Sequence, residues 1–340
     1  MGRRPTIRDV ASAAGVSMGT VSRVAAKLNT VSPETRHRVE QAMRTLGYVP
    51  NIAARTMRTN RTKIVGLLLP DLANTVFLLL AKAAERLLGS EGYTLFLYSS
   101  ERSPTREIEF LELASRYRMD GLIVSLSDET NQSVVEALSK MECPIVLLDR
   151  DTPIRADVVF SEHAEAMQRV TAHLIELGHR RIALITAPLG IRPGRERVLG
   201  YRAALRDAGL SIDETLIGHD YQTSKYGFSK ALEMLRRPVP PTAVIAGGDE
   251  IFYGVLRAAR QLNLAIPGDV SIVGADNRML SDVVTPMITI IDRDMEQVGD
   301  TAADMLIRRM NGQGGEPVHV HLPSEVILRN STAKPRPDLV

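Results

Sequence analysis

TIRDVASAAGVSMGTVSRVAAKLNTVSPETRHRVEQAMRTL, residues 6–46, decides how the chain is read. Thr6 and Asp9 stand three apart, the spacing of a capping box. Ile7, Val10, Ala11 and Ala14 then fall at i, i+3, i+4 and i+7, one apolar stripe along a first short helix. Gly15 permits the sharp turn that ends it. Ser17 caps a second helix whose inward stripe is Val21, Val24 and Leu28. Ser32-Pro33-Glu34 supplies a cap followed by proline at the first helical position, and Gly47 stops the third helix. Small Ala11, turn Gly15 and apolar Val21 are what two helices need to cross closely through a tight turn. This is the helix-turn-helix pattern, whose second helix fits a DNA major groove.

A generic three-helix bundle would satisfy the same spacing, and charge separates the two readings. Residues 1–63 hold 12 Lys and Arg against 3 Asp and Glu, a net of +9; since the whole chain of 340 residues carries +2, residues 64–340 carry −7. A small basic unit joined to a larger acidic one is the electrostatic footprint of a nucleic-acid binder. The length suits two or three domains, and 44% hydrophobic content is enough for a substantial core. Cys143 is the single cysteine, which excludes a disulfide framework and fits a reducing compartment. No apolar run reaches the length of a membrane span, and MGRRPT lacks the apolar core of a signal peptide. The expectation is a cytoplasmic protein with no membrane partner. The chain has no repeat of fixed period and no low-complexity tract.

Beyond the third helix, Pro50 redirects the chain and Asn51 can cap a very short fourth helix, 52–58. Two turns are not stable alone in water, so this helix is expected to form against a second copy of itself or against DNA. Arg55, Arg58, Arg61 and Lys63 surround it with positive charge; a flexible basic linker is the alternative. From Ile64 the pattern changes. Apolar runs (IVGLLLP, TLFLYSS, GLIVSLS, PIVLLDR, then RIALITA, AVIAGG, SIVGADN) alternate with amphipathic helical segments. Continuous apolar strands between helices mean a parallel sheet covered on both faces. The two series predict an α/β architecture of two doubly wound lobes with a cleft between them. Ligands in such sheets sit at the carboxyl ends of the strands, here Pro70-Asp71, Ser99-Ser100, Asp149-Arg150, Gly248-Asp249 and Asp276-Asn277.

TIRDVASAAGVSMGTVSRV and VSPETRHRVEQAMRTLGYVPNIAARTM resemble the DNA-binding head of the LacI/GalR family of bacterial repressors. The likeness continues through LGHRRIALI, RERVLGYRAAL, PTAVIAGGDE and IPGDVSIVGADN, and reaches about Arg329. It implies a dimeric repressor with a periplasmic-binding-protein-like core, a hinge helix, and a small effector, usually a sugar or purine, in the cleft. The expected divisions are a helix-turn-helix domain at 1–50, a hinge at 51–62, a two-lobed effector and dimerisation domain at 63–330, and a flexible tail at 331–340. The partners expected are double-stranded operator DNA, the effector and a second copy of the chain. No cofactor is expected.

At the start of the second helix, Met18, Gly19, Ser22 and Arg23 point into the groove. Arg reads guanine through its paired acceptors, whereas Met makes only apolar contacts such as one with a thymine methyl. Gly19 offers no side chain, which concentrates base reading on Met18 and Arg23; the alternative for Arg23 is a phosphate contact. Thr6, Ser17, Thr20 and Ser32 are caps that can also touch phosphates. In the hinge, the resemblance assigns DNA contacts to Asn51, Ala54, Met57 and Arg58, with Met57 standing where a leucine is usual as the minor-groove wedge.

For the cleft, the resemblance assigns Asn74 and Phe77 after the first strand, and Asp149 with Arg150 after the fourth. Arg197, Asp249, Asp276 and Arg293 follow from the second lobe and the crossover region. Carboxylates and guanidinium groups are the polar partners that sugar hydroxyls need. The chain departs from the family pattern at Val76, Glu162-His163, Gly248, Ala275 and Arg293, the last replacing a common glutamine. Arg197 and Arg293 together suggest an anionic effector such as a sugar acid or phosphosugar, unless Arg293 pairs with Asp292 or Asp294.

His319 and His321 share one face of a strand, but two ligands with no carboxylate or cysteine at matching spacing do not make a metal site. Two other classes compete with the repressor. A transported-solute receptor shares the two-lobed core but requires export, and here a basic helix-turn-helix occupies the place of a signal peptide. An enzyme with a fused DNA head would need a catalytic motif, and neither GxxxxGK nor GxSxG occurs. The apolar helix LLLAKAAERLL, residues 78–88, is expected at a first-lobe dimer interface.

Overall fold

The computed structural model describes residues 5–25, 30–48 and 61–337, and the chain divides into a unit Met1–Thr62 and a unit Lys63–Val340. In the first unit α1 spans Ile7–Ala14, α2 Met18–Ala25 and α3 Pro33–Leu46. Both the Thr6 N–H and its hydroxyl donate to Asp9 Oδ2, at 2.7 and 2.8 Å. Gly15 adopts φ +63°, the left-handed conformation that closes α1, at no steric penalty for a residue without Cβ. Ser17 Oγ accepts from the Thr20 N–H at 3.1 Å, and Ser32 Oγ from the Thr35 N–H. Val10, Ala11, Ala14, Val21, Val24, Val39 and Ala42 are the buried core. The predicted inward stripe of α2 is thus seated through Val24; Leu28 lies outside the described residues, as does the predicted hinge helix.

The second unit holds two six-stranded sheets, ordered β11-β5-β4-β3-β1-β2 and β12-β10-β9-β8-β6-β7. The first combines Ile64–Leu69 (β1), Thr94–Ser99 (β2), Gly121–Val124 (β3), Ile145–Leu148 (β4), Asp157–Ser161 (β5) and His319–Leu322 (β11). The second combines Ile182–Thr186 (β6), Ile217–His219 (β7), Ala243–Gly247 (β8), Ser271–Ala275 (β9), Thr289–Arg293 (β10) and Ser324–Ile327 (β12). All neighbours run parallel except β10 and β12. Strands such as β3, β5, β6, β8 and β9 are buried at every residue, as a parallel sheet covered by helices on both faces requires. TLFLYS (β2) is different. It reads as a buried strand but lies at the sheet edge, with Phe96 and Leu97 exposed.

The lobes are not consecutive pieces of chain. Among the described residues the chain passes between them three times, at Glu162, Asp294 and Pro323, each a single residue between elements of different lobes. The helix Met295–Met310, which the sequence series omits, returns to the first lobe and gives it Met295, Val298, Ala302, Ala303, Met305, Leu306 and Met310 as core. It approaches the helix Thr75–Ser90 so closely that a Cβ on Gly299 would lie 2.3 Å from Leu80 O. In the second lobe the helices Ser224–Leu235 and Asp249–Gln261 cross through Gly227 and Gly254.

The chain beyond 330 departs from the flexible tail expected. Ser331 is fully buried, donating to Ile272 O at 2.6 Å and accepting from the Thr289 N–H at 2.8 Å. The Ala333 carbonyl faces His179 Nε2 at 2.9 Å. Two backbone-directed hydroxyl bonds carry no apolar periodicity, so sequence gives no sign of them.

Candidate DNA interface and effector site

On α2, Met18, Gly19 and Arg23 are exposed, while Thr20 and Ser22 are half-buried. Ser17 and Thr20 hydroxyls lie 3.0 Å apart, so the cap also holds the side chain of the residue that follows Gly19. Arg23 Nε donates to Gly19 O at 3.3 Å, laying its stem along its own helix at the exposed face. A methyl on Gly19 would meet only Ser17 Oγ at 3.7 Å; the position is open because nothing in the head packs over it. Thr6 and Ser32 cap α1 and α3. Asn51, Ala54, Met57 and Arg58 lie outside the described residues.

Between the lobes lies a cavity of about 290 Å³, near the lower end of the ~300–1,000 Å³ of usual ligand pockets. Asn74, Phe77 and Arg150 line it from the first lobe, together with Pro70, Arg102, Ser127 and Asp128. Gly190, Ile191, Asp220, Tyr221 and Gln222 face them from the second. Asn74 caps the helix Thr75–Ser90, its Oδ1 accepting from the Val76 N–H at 3.1 Å. Arg150 is buried, yet among the described residues its guanidinium donates only to backbone carbonyls, Leu126 O at 2.5 Å and Asp149 O at 2.9 Å. Arg102 reaches across the cleft: it pairs with Asp71 at 2.5 Å and donates to Gln222 O at 2.8 Å.

Behind this cavity the remaining predicted residues close on one another. Arg293 Nε donates to Asp276 Oδ1 at 2.6 Å, and its Nη1 to Asp149 Oδ2 at 2.9 Å and Ser161 Oγ at 3.3 Å. Arg197 donates to Asp276 Oδ2 at 3.1 Å and to Gly247 O at 2.7 Å. Asp149 also accepts from the Ser161 N–H at 2.6 Å and from His163 Nε2 at 3.1 Å. Both aspartates sit at strand ends with positive φ, +49° for Asp149 and +71° for Asp276, a conformation Asp tolerates better than most residues. Arg293 therefore pairs with neither Asp292 nor Asp294, and the charge on which an anionic effector was argued is spent inside the protein. Asp249 stands apart: it accepts from Asn277 Nδ2 at 2.5 Å and, across the lobes, from Thr75 Oγ1 at 2.8 Å. His163, one of the departures from the family pattern, is an integral member of the network. Val76 and Ala275 are plain core.

Burial raises the carboxyl affinity of Asp276 for its proton, but Arg293 and then Arg197 outweigh it and hold its pKa at about 2. His163 and Arg293 likewise hold Asp149 well below the usual carboxylate range against burial. Burial lowers His163 to about 4 despite the neighbouring Asp149 carboxylate, so near neutrality it donates to Asp149 as an uncharged imidazole. A histidine whose pKa is depressed on folding binds its proton more readily unfolded. Its folding penalty is absent above its ordinary 6.5, grows as pH falls, and levels off near 4 at about 3 kcal/mol. His163→Gln should flatten the decline of stability between pH 6.5 and 4 by roughly that amount; parallel slopes in urea titrations of both proteins would show that His163 is hydrated.

Sequence reasoning missed Arg102, Asp128, Asp220, Tyr221 and Gln222. The strand-end rule points to such loops, but β7 has three residues, too few to register as an apolar run, and Arg102 lies beyond the named Ser99-Ser100 corner. His319 and His321 are exposed and pack on the Phe160 ring, with centroids 5.7 and 5.1 Å away. Among the described residues no three metal-binding side chains cluster, and no helix is long and apolar enough to cross a membrane.

Residues 6–51 match the family described as bacterial regulatory proteins, lacI family, and residues 171–332 match the periplasmic binding protein-like domain. The HTH-type transcriptional repressor PurR of Escherichia coli O139:H28 (strain E24377A / ETEC) is 32% identical over 330 residues, covering 96% of this chain and 97% of the relative. The lac repressor dimer bound to operator and the anti-inducer ONPF superposes with a TM-score of 0.84 at 27% identity, covering 97% of this chain and all of that one. The transcriptional regulator CelR in complex with cellobiose gives 0.74 at 30% identity over the same 97% of this chain and 100% of its own.

Proposed function

This chain belongs to the lacI family of bacterial regulatory proteins, and on that premise we propose that it is a homodimeric repressor of operator DNA controlled by a small effector held between its lobes. The observation that carries the reading is the pairing of an exposed reading helix in a basic N-terminal unit with an inter-lobe cavity in a single chain. It is a regulator rather than an enzyme. The assignment gives DNA binding to residues 1–50, coupling to 51–62 and effector binding to 63–330. As a regulator of operator DNA it works in the cytoplasm.

PurR is named as a repressor, the lac repressor was solved as an operator-bound dimer, and CelR was solved with cellobiose; each supports one part of the proposal. A dimer is also what the surface calls for. Leu78 and Leu79 on the helix Thr75–Ser90 and Phe96 and Leu97 on the edge strand β2 are exposed, and a second copy would cover an edge that otherwise invites aggregation. The cavity suits a polar molecule of about monosaccharide size, such as a sugar. Phe77 offers it an apolar wall, and Asn74, Arg150 and Asp220 offer polar contacts.

Selection of bound fragments from random DNA should return a pseudo-palindrome. On it, Arg23→Ala should lose about 1–3 kcal/mol and relax preference at one base pair per half-site. Equal weakening of specific and non-specific DNA would make Arg23 a phosphate contact instead. A thermal-shift screen then identifies the effector, since a ligand at 100 times its Kd stabilises by roughly 2.7 kcal/mol.

A further inference from the structure

We propose that Arg293 determines effector specificity by occupying the deepest part of the cleft itself. The inference rests on reading the 290 Å³ cavity as the effector site and adds which ligands that site refuses. The floor behind the cavity has only about 40 Å³ of free space, bounded among others by Asp149, Arg197, Asp276 and Arg293; Asp276 and Arg293 also border a separate cavity of about 820 Å³ with Thr75, Asn277 and Asp292. The floor admits a water molecule or two and no sugar ring.

The floor is closed chemically as well. Asp149 is already engaged on both oxygens: its Oδ1 accepts from the Ser161 N–H, and its Oδ2 is shared by the Ser161 hydroxyl, His163 and Arg293. Asp276 is spanned by Arg293 on one oxygen and Arg197 on the other. Asp149 and Asp276 balance Arg197 and Arg293 while His163 is neutral, so among the described residues Arg150 at the rim of the floor carries the one cation left over. A neutral polyol has nothing to offer there that Arg293 does not already supply. Arg293 makes the contacts a ligand would make, from a position one residue before the chain crosses at Asp294. The effector of the natural chain is therefore recognised by the outer walls, Arg150, Asn74 and Asp220 among them.

Arg293→Gln shortens the side chain and removes its charge. It joins the floor to the outer cavity and returns hydrogen-bond acceptors on Asp149 and Asp276 to any hydroxyl that enters. The test is calorimetric titration of wild-type protein, Arg293→Gln and Arg293→Lys with D-glucose, D-galactose and D-ribose. At least one of these sugars should bind Arg293→Gln about tenfold or more tightly than wild type, because hydrogen bonds to a carboxylate are gained. Arg293→Lys keeps a cation in the floor and should gain nothing.

Should Arg293→Gln fail to fold by circular dichroism, the charge-balanced double variant Arg293→Gln with Asp149→Asn carries the same expectation through Asp276. Equal sugar affinity in the wild type and the folded glutamine variant overturns the proposal, as does an equal gain in the lysine variant. Operator binding by the same preparations separates this failure from failure of the repressor reading: the former leaves DNA binding intact, the latter removes it from the wild type.

Discussion

Asp276→Ala should lower the free energy of unfolding by about 3–5 kcal/mol, the range measured when one partner is removed from a buried charge pair. Asp276 is the shared acceptor of Arg197 and Arg293; Arg197 is buried and the Arg293 side chain is only 10% exposed. Without it, Arg197 keeps only the Gly247 carbonyl, and Arg293 keeps only Asp149 and Ser161. Asp276→Asn should do less harm, because its amide oxygen still accepts from one arginine. The same pairing fixes the acid limit. A carboxyl held at about 2 in the folded chain contributes stability that is complete above its ordinary 3.8 and lost as pH falls toward 2. Urea titration of the effector domain decides the matter; a change below about 1 kcal/mol would mean the pair is hydrated and the floor open. The result also bears on functional assays. A lost effector response in Asp276→Ala reports on folding before it reports on binding.

Gly254→Ala should destabilise by about 3 kcal/mol, the upper end of the cost of overpacking. Its Cβ would lie 2.4 Å from both Phe228 N and Ser224 O, and Gly227 faces Ile251 O at 2.6 Å across the same crossing. The obstructing atoms are backbone, so the two helices must separate rather than a side chain rotate. Gly89→Ala is the control. That glycine is exposed near the end of a helix and its Cβ would meet only Glu85 Oε1 at 3.8 Å, so the change should stabilise by roughly 0.5–1 kcal/mol. Similar unfolding midpoints for the two variants would contradict the close crossing.

These two sites mark what the sequence makes legible and what it does not. Strands β1, β3, β4, β6, β8 and β9 are visible because a strand buried on both faces is apolar throughout. The three-residue β7 and the exposed β11 carry no such run. The helix Met295–Met310 has an apolar stripe interrupted by small Gly299, Ala302 and Ala303, chosen for close approach to another helix rather than for hydrophobicity. Which lobe an element joins is not written in its periodicity, since both sheets present the same kind of face. Asp149, Arg197 and Asp276 could be located from strand ends and resemblance. That they would satisfy one another, with His163 and Ser161, depends on side chains from three segments meeting, which no local pattern encodes. Arg102, Tyr221 and Gln222 follow edge strands, where the loops carry no periodic signal at all.

The three passages between lobes have a consequence for how the protein is made. When the ribosome has completed β5 at Ser161, five of the six strands of the first sheet exist. The helix Met295–Met310, which covers Leu67, Leu69, Ile123, Val146 and Leu148 on one face, is still untranslated. At about 5–20 residues per second, that face waits roughly 10–30 s for its cover. The second lobe is translated during this interval and lacks only β12 and the segment around Ser331. The nascent chain is thus most exposed to aggregation in its first-made sheet, and a chaperone that acts on it should bind chains stalled between residues 161 and 295 and release those stalled past 322.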